Sequence, residues 1–191
     1  LGGRSPDIVV LMASFHHAAA LPQACDDLRR MLVPGHMLAA TVESVLGDGR
    51  ELEGLSGMSA LSIRFADSRK IRIHPWRTAS WDPIPLSQPD ALAARIDAAS
   101  DTRCVIVLAD PFSTPSTRML PAIGGCLGGN RTIPVTGGLL SGASQPTCNR
   151  LILDDVVQDV GAIGLTISGD IDVRTIVSQG CRPVGVPVVV T

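Results

Sequence analysis

The sequence predicts an α/β protein of the α+β kind, made of two β-α-β-β-β halves whose mixed sheets carry their helices on the outside. Three observations predict it. A buried-strand run occurs twice, as Asp7-Ile8-Val9-Val10-Leu11-Met12-Ala13 and as Arg103-Cys104-Val105-Ile106-Val107-Leu108-Ala109-Asp110. Each run leads into a polar stretch with a Phe, and similar elements then follow in the same order. Hydrophobic residues make up 45% of the 191 and aromatics only 3%, with no Tyr, so the core must be aliphatic and closely packed.

The elements follow in chain order. After the first run comes Ser14-Phe15-His16-His17; after the second, Asp110-Pro111-Phe112-Ser113. Leu21, Ala24, Cys25, Leu28, Met31 and Leu32 recur at helical spacing, and Thr117 to Leu127 carries Leu120, Ile123 and Leu127. Pro34-Gly35 and Gly128-Gly129 break these helices. A strand with a shared Thr follows in each half, Met37 to Thr41 and Thr132 to Thr136, running on to Gly47 and to Gly142. Gly57 to Ile63 matches Gly161 to Ile167, and each leads through a tight turn into an alternating run, Lys70 to His74 and Ile171 to Ile176. Both pairs predict a β-hairpin. The pseudo-repeats therefore span about 6–74 and 102–177 of one domain. A Pro-rich linker from Pro75 to Pro89, holding both Trp residues, and a short helix from Ala91 to Ala99 lie between them.

Composition excludes several functions. The net charge is −2 with no basic cluster, which leaves nothing to neutralise nucleic-acid phosphates. No apolar run approaches the roughly 20 residues that span a bilayer. Five widely spaced Cys without a C-x-x-C predict reduced thiols in a cytosolic protein, mostly small core residues, rather than disulfides or a zinc site. The chain begins Leu1-Gly2-Gly3 and ends in Val188-Val189-Val190-Thr191, so it is expected to be a piece of a longer protein.

Few motifs carry chemistry. His16-His17 follow a strand end; adjacent residues seldom share a metal and no third ligand lies at metal spacing, so one His is expected to cap the following helix. Asp110 ends a buried strand and suits two roles equally, accepting from a ligand amine or organising its own turn. Gly137-Gly138 are expected to follow a strand and to let a ligand approach the backbone; the P-loop and G-x-G-x-x-G patterns are not met. The last stretch, Val177-Ser178-Gln179-Gly180-Cys181-Arg182-Pro183-Val184-Gly185, sets a thiol and a guanidinium in one turn. Arg182 has no acidic sequence neighbour and matches a carboxylate bidentately. Cys181 beside it is either a reactive thiol or a buried one. No complete catalytic constellation, metal site or cofactor motif is present, so no enzyme and no cofactor is expected.

The strand from Asp7 to Ala13 with Ser14-Phe15-His16-His17, Leu108-Ala109-Asp110-Pro111-Phe112, Pro134-Val135-Thr136-Gly137-Gly138 and Gly180-Cys181-Arg182-Pro183-Val184-Gly185 together resemble the N-terminal domain of the FIST sensory family, in order and over nearly the whole chain. The resemblance implies a cytoplasmic sensory domain that binds a small ligand, with amino acids among the candidates, and signals to attached modules. It implies a FIST C-terminal domain as the partner that follows. On this reading Arg182 clamps a carboxylate, Asp110 meets an amine, Gly137, Gly138 and Gly180 admit the ligand, and Ser178 and Cys181 line the wall. Two other readings stand beside it: an interaction scaffold without ligand, as in F-box-linked members, and a thiol-dependent enzyme using Cys181 with a distant His16, His17 or His74.

Overall fold

The structure is a computed structural model that describes residues 3–81, 86, 88–126 and 133–176. The first apolar run forms β1 (Ile8–Ser14). It lacks polar alternation because both faces are covered, as expected of a strand inside an α/β layer. Val9, Leu11 and Ala13 face a helix, while Ile8, Val10 and Met12 face a second sheet. The helix is α1 (Leu21–Leu32), with Pro22 in its first turn. Leu21, Cys25, Leu28 and Leu32 form its apolar stripe against β1. Met31, expected in that stripe, is 77% exposed, because the stripe is only one residue wide per turn. The helix ends on Val33 in the left-handed region, φ 47°, and on Gly35, where a Cβ would sit 2.8 Å from the Asp7 carbonyl oxygen.

β2 (His36–Val42) lies parallel to β1, and β5 (Met58–Ile63) lies antiparallel on its other side. Between them β3 (Ser44–Gly47) and β4 (Arg50–Glu53) form a hairpin of their own, so the strand expected to run on to Gly47 breaks after Val42. Its turn is Asp48-Gly49, both with positive φ, a dipeptide that favours two-residue hairpin loops.

The second half repeats this order. After β6 (Ile71–Thr78) and α2 (Pro89–Arg95) come β7 (Thr102–Ala109), α3 (Ser116–Cys126), β8 (Val135–Leu139), β9 (Leu151–Leu153), β10 (Val156–Gln158) and β11 (Ala162–Gly169). β8 is parallel to β7 and β11 antiparallel to it, so β8-β7-β11 matches β2-β1-β5. Each half then lends strands to the other. β6 pairs with β11, and the β9–β10 hairpin adds to β2. The sheets read β10-β9-β2-β1-β5 and β6-β11-β7-β8. They pack face to face through Ile8, Leu38, Leu108, Ile163 and Leu165. α1 covers the outside of the first sheet, and α2 and α3 the outside of the second, giving α, β, β and α layers.

Several expectations need correction. β5 and β6 do not form a hairpin: β6 crosses to the other sheet, where Trp76 packs its ring over Gly164. Alternation shows that a strand has two faces and says nothing of which strand it pairs with. The counterpart run, Ile171 to Ile176, is not a strand, although Ile171 and Val173 pack on the core between the sheets. The supposed linker begins inside β6, whose Pro75 is tolerated because β6 is an edge strand. Both Trp76 and Trp81 are buried core residues. The short helix covers Pro89–Arg95 rather than Ala91 to Ala99. In α3 the buried residues are Met119 and Ile123, while Leu120 is about half exposed. Thr41 and Thr136 are not equivalent: Thr41 lies opposite Ala13 and Leu139 opposite Ala109, so Thr136 stands where the first half has Leu38.

Candidate functional site

Parallel strands within a sheet end on the same side, and in open α/β sheets ligands gather at the carboxyl ends. Four such ends meet here. β1 ends in Ser14 and a tight 3-10 turn, Phe15–His17. β2 gives way to Glu43, β7 to Asp110, and β8 to a loop over 140–150 that returns as β9 beside β2. Phe15, Glu43, Ser141, Gly142, Ser144 and Cys148 line an open cleft of about 410 Å³. Gly142 presses on the end of β2: a Cβ there would lie 2.9 Å from the Thr41 carbonyl carbon. The Ser141 hydroxyl accepts the Glu43 N–H at 3.1 Å. The Arg150 guanidinium ties the loop's base by donating to the carbonyls of Thr147, Cys148 and Asn149.

A larger groove of about 600 Å³ runs beside β6 and the β9–β10 hairpin. Two of its charged side chains serve the fold: Arg95 donates to the Arg77 carbonyl, and Asp154 bonds His36. We place the site in the smaller cleft, because it lies at the carboxyl ends of the parallel strands.

The sequence-chosen residues fall in three places. Asp110 is fully buried. One carboxylate oxygen accepts from Phe112 N–H, Ser113 N–H and Ser113 Oγ–H at 3.2, 3.0 and 2.6 Å, and the other accepts from Asn149 Nδ2 at 3.0 Å. Of its two expected roles, these contacts belong to turn organisation. Gly137 and Gly138 lie inside β8 rather than after it, beside a small apolar space of about 140 Å³ under α3. At Gly137, φ 129°, a Cβ would fall 1.8 Å from the Val107 carbonyl oxygen, so strand contact explains that glycine. Ser178, Gly180, Cys181 and Arg182 lie outside the described residues.

Neither His caps α1: its N-cap is Ala20, without a side-chain bond, and His17 Nε2 meets Ser56 Oγ at 2.7 Å instead. Burial pushes the Cys25 and Cys104 thiols up to about 11, with Asp26 adding to the effect at Cys25; both are core residues. Sequence reasoning missed Glu43 and Cys148 as cleft residues and Asn149 as the buried partner of Asp110. The signal for Glu43 was its place just past the carboxyl end of a parallel strand.

The family model of the FIST N domain matches residues 7–191. The chain belongs to the FIST family. FIST domains are sensory domains of signalling proteins. This FIST N domain is similar to an uncharacterized protein of Mycobacterium tuberculosis (strain ATCC 25618 / H37Rv), 26% identical over 191 residues, which are 100% of this chain and 47% of that protein. It is similar also to an uncharacterized protein of Mycobacterium bovis (strain ATCC BAA-935 / AF2122/97), at 25% over 100% of this chain and 46% of the other. The chain thus spans about half the length of the curated relatives it matches. Among the described residues no helix of the FIST N domain is long and apolar enough to cross a membrane.

Proposed function

We propose that this FIST N domain senses a small polar ligand, with an amino acid as the best chemical fit, and that it binds the ligand without transforming it. The observation that carries this reading is the cleft of about 410 Å³ at the strand ends, built from both halves. Pockets of roughly 300–1,000 Å³ suit small molecules. Phe15 offers an apolar wall, Ser141 and Ser144 offer hydroxyls, and the exposed Glu43 carboxylate offers a partner for an amine. Glu43 replaces Asp110 in that role, because every Asp110 contact described is internal. Arg182 remains the proposed carboxylate clamp, on the sequence argument alone. In proteins of the relatives' length, the remaining half is the proposed partner that closes the cleft and carries the signal onward.

Thermal-shift screening of the full-length protein against the common amino acids and other small acids tests this. A ligand at about 100 times its Kd stabilises the folded state by about 2.7 kcal/mol, enough to raise the Tm by several degrees. Glu43→Gln should abolish the response to amino acids. Arg182→Met should abolish it to any carboxylate. A screen without a response removes the sensing role proposed here; a response that both variants keep removes the site.

A further inference from the structure

One buried side chain outside the cleft has contacts that the ligand reading does not use. Asn149 is fully buried and sits where the two sheets end. Its Nδ2 donates to Asp110 Oδ1 at 3.0 Å, reaching the end of β7. Its Oδ1 accepts from Thr41 Oγ1 at 3.2 Å, reaching the end of β2 in the other sheet. The same oxygen accepts the Ala143 N–H at 3.0 Å, from the middle of the cleft loop. Both neighbours are fixed in turn. Asp110 is held by its own turn, in which Ser113 Oγ also accepts the Gly161 N–H at 2.7 Å at the start of β11. Thr41 Oγ1 accepts the Arg150 N–H at 2.9 Å, next to Asn149. A side-chain amide has two donor and two acceptor sites, and three are filled by three different segments. Buried polar groups keep such partners because water is not there to replace them.

We propose that Asn149 is a positioning residue of the cleft. It hangs the loop over 141–148 between the carboxyl ends of β2 and β7, so the shape of the cleft follows the relation between the two sheets. The proposal rests on the reading of this cleft as the ligand site, but the loop's attachment is measurable without a ligand. Cys148 supplies the measurement. It is a partly exposed free thiol lining the cleft, whereas Cys126, also partly exposed, lies on α3 outside the second sheet. A loop that comes loose exposes Cys148 alone; a molecule that loosens throughout exposes both.

The experiment is alkylation of the full-length protein by iodoacetamide, read cysteine by cysteine by mass spectrometry. Asn149→Asp sets a second carboxylate against Asp110 where a donor stood, with Arg150 and Glu43 as the other charged groups on the segments that meet there. Loss of a buried hydrogen bond should speed Cys148 labelling about tenfold and leave Cys126 within about twofold. Adding Asp110→Asn exchanges the donor and acceptor ends of the pair, and labelling should fall back to within about threefold of the parent. Thr41→Val, which removes the attachment to β2, should speed Cys148 about threefold and serves also if Asn149→Asp does not fold. Three results overturn the proposal: unchanged Cys148 labelling in the single variants, equal acceleration of Cys126, or an exchanged pair as fast as Asn149→Asp. The amino-acid screen is separate. If the screen fails while Cys148 responds as expected, the positioning stands and the ligand reading does not.

Discussion

β5 and β11 occupy equivalent places in the two halves and meet opposite fates. Met58 lies opposite Ala13 and Ala162 opposite Ala109, and the pairing runs in step from there. Yet seven of the eight β11 residues are buried, and none of the six in β5 is. Leu165 is fully buried, while its counterpart Leu61 is 59% exposed. The cause is the crossing of β6, which takes the far side of β11; among the described residues no strand takes the far side of β5. The local sequences agree with this. β11 presents Ile163 and Thr166 where β5 has Ser59 and Ser62. Burial here is a property of the neighbours a strand acquires as much as of its own residues.

The largest difference should come from the paired leucines. Leu165→Ala opens a cavity between the sheets and should cost about 3 kcal/mol, whereas Leu61→Ala should cost under about 1 kcal/mol. Urea unfolding of the two variants measures both, and equal costs would mean that the two strands are equally covered in solution. A second pair sharpens the point on the opposite face. At Gly164 a Cβ would lie 2.3 Å from Trp76 Cζ2 and 2.6 Å from the Ile106 carbonyl oxygen. Gly164→Ala should therefore cost about 2 kcal/mol through overpacking. The equivalent β5 position already holds an alanine, and Ala60→Val should change stability by less than about 0.5 kcal/mol.

This contrast also marks what the sequence made legible. β1, β7 and α1 were plain, because a continuous apolar run and an i, i+4 stripe are properties of the segment itself. The β-α-β order that opens each half was plain for the same reason. The exchange of strands was not, because the alternation from Ile71 to His74 is the same whichever sheet receives it. Trp76 was the overlooked sign: a large ring needs a gap, and Gly164 in the matching strand supplies one. The two short hairpins were missed because three- and four-residue strands carry little pattern, although Asp48-Gly49 names its own turn. Of the site, Asp110 was singled out correctly as the end of a buried strand. That its carboxylate would be engaged depended on Asn149, 39 residues away, and no spacing rule announces such a contact.

The smallest effect separates the two hairpins. β3–β4 forms a two-stranded sheet of its own, while β9–β10 is stitched to β2 by Asp154 in its turn. Asp154 Oδ1 accepts the Met37 N–H at 2.9 Å, and Oδ2 meets His36 Nδ1 at 3.1 Å. Burial pushes the pKa of this carboxyl up, but the hydrogen bonds from His36 and the Met37 amide, with the charges of His36 and Arg29, outweigh it, so the group lies below the ordinary value. A carboxyl depressed in the folded state contributes stability that is present above its unfolded pKa, about 3.9, and is lost as pH falls through the folded value. Asp154→Asn should thus be about 1 kcal/mol less stable than the parent near neutrality. The gap should narrow below roughly pH 4, because only the parent has this contribution to lose. Asp48→Asn, in the hairpin that joins no larger sheet, should shift stability by less than about 0.5 kcal/mol. Urea unfolding at a series of pH values reads all three proteins. Parent and Asp154→Asn curves that run parallel into acid would show that the carboxylate does not fasten the hairpin.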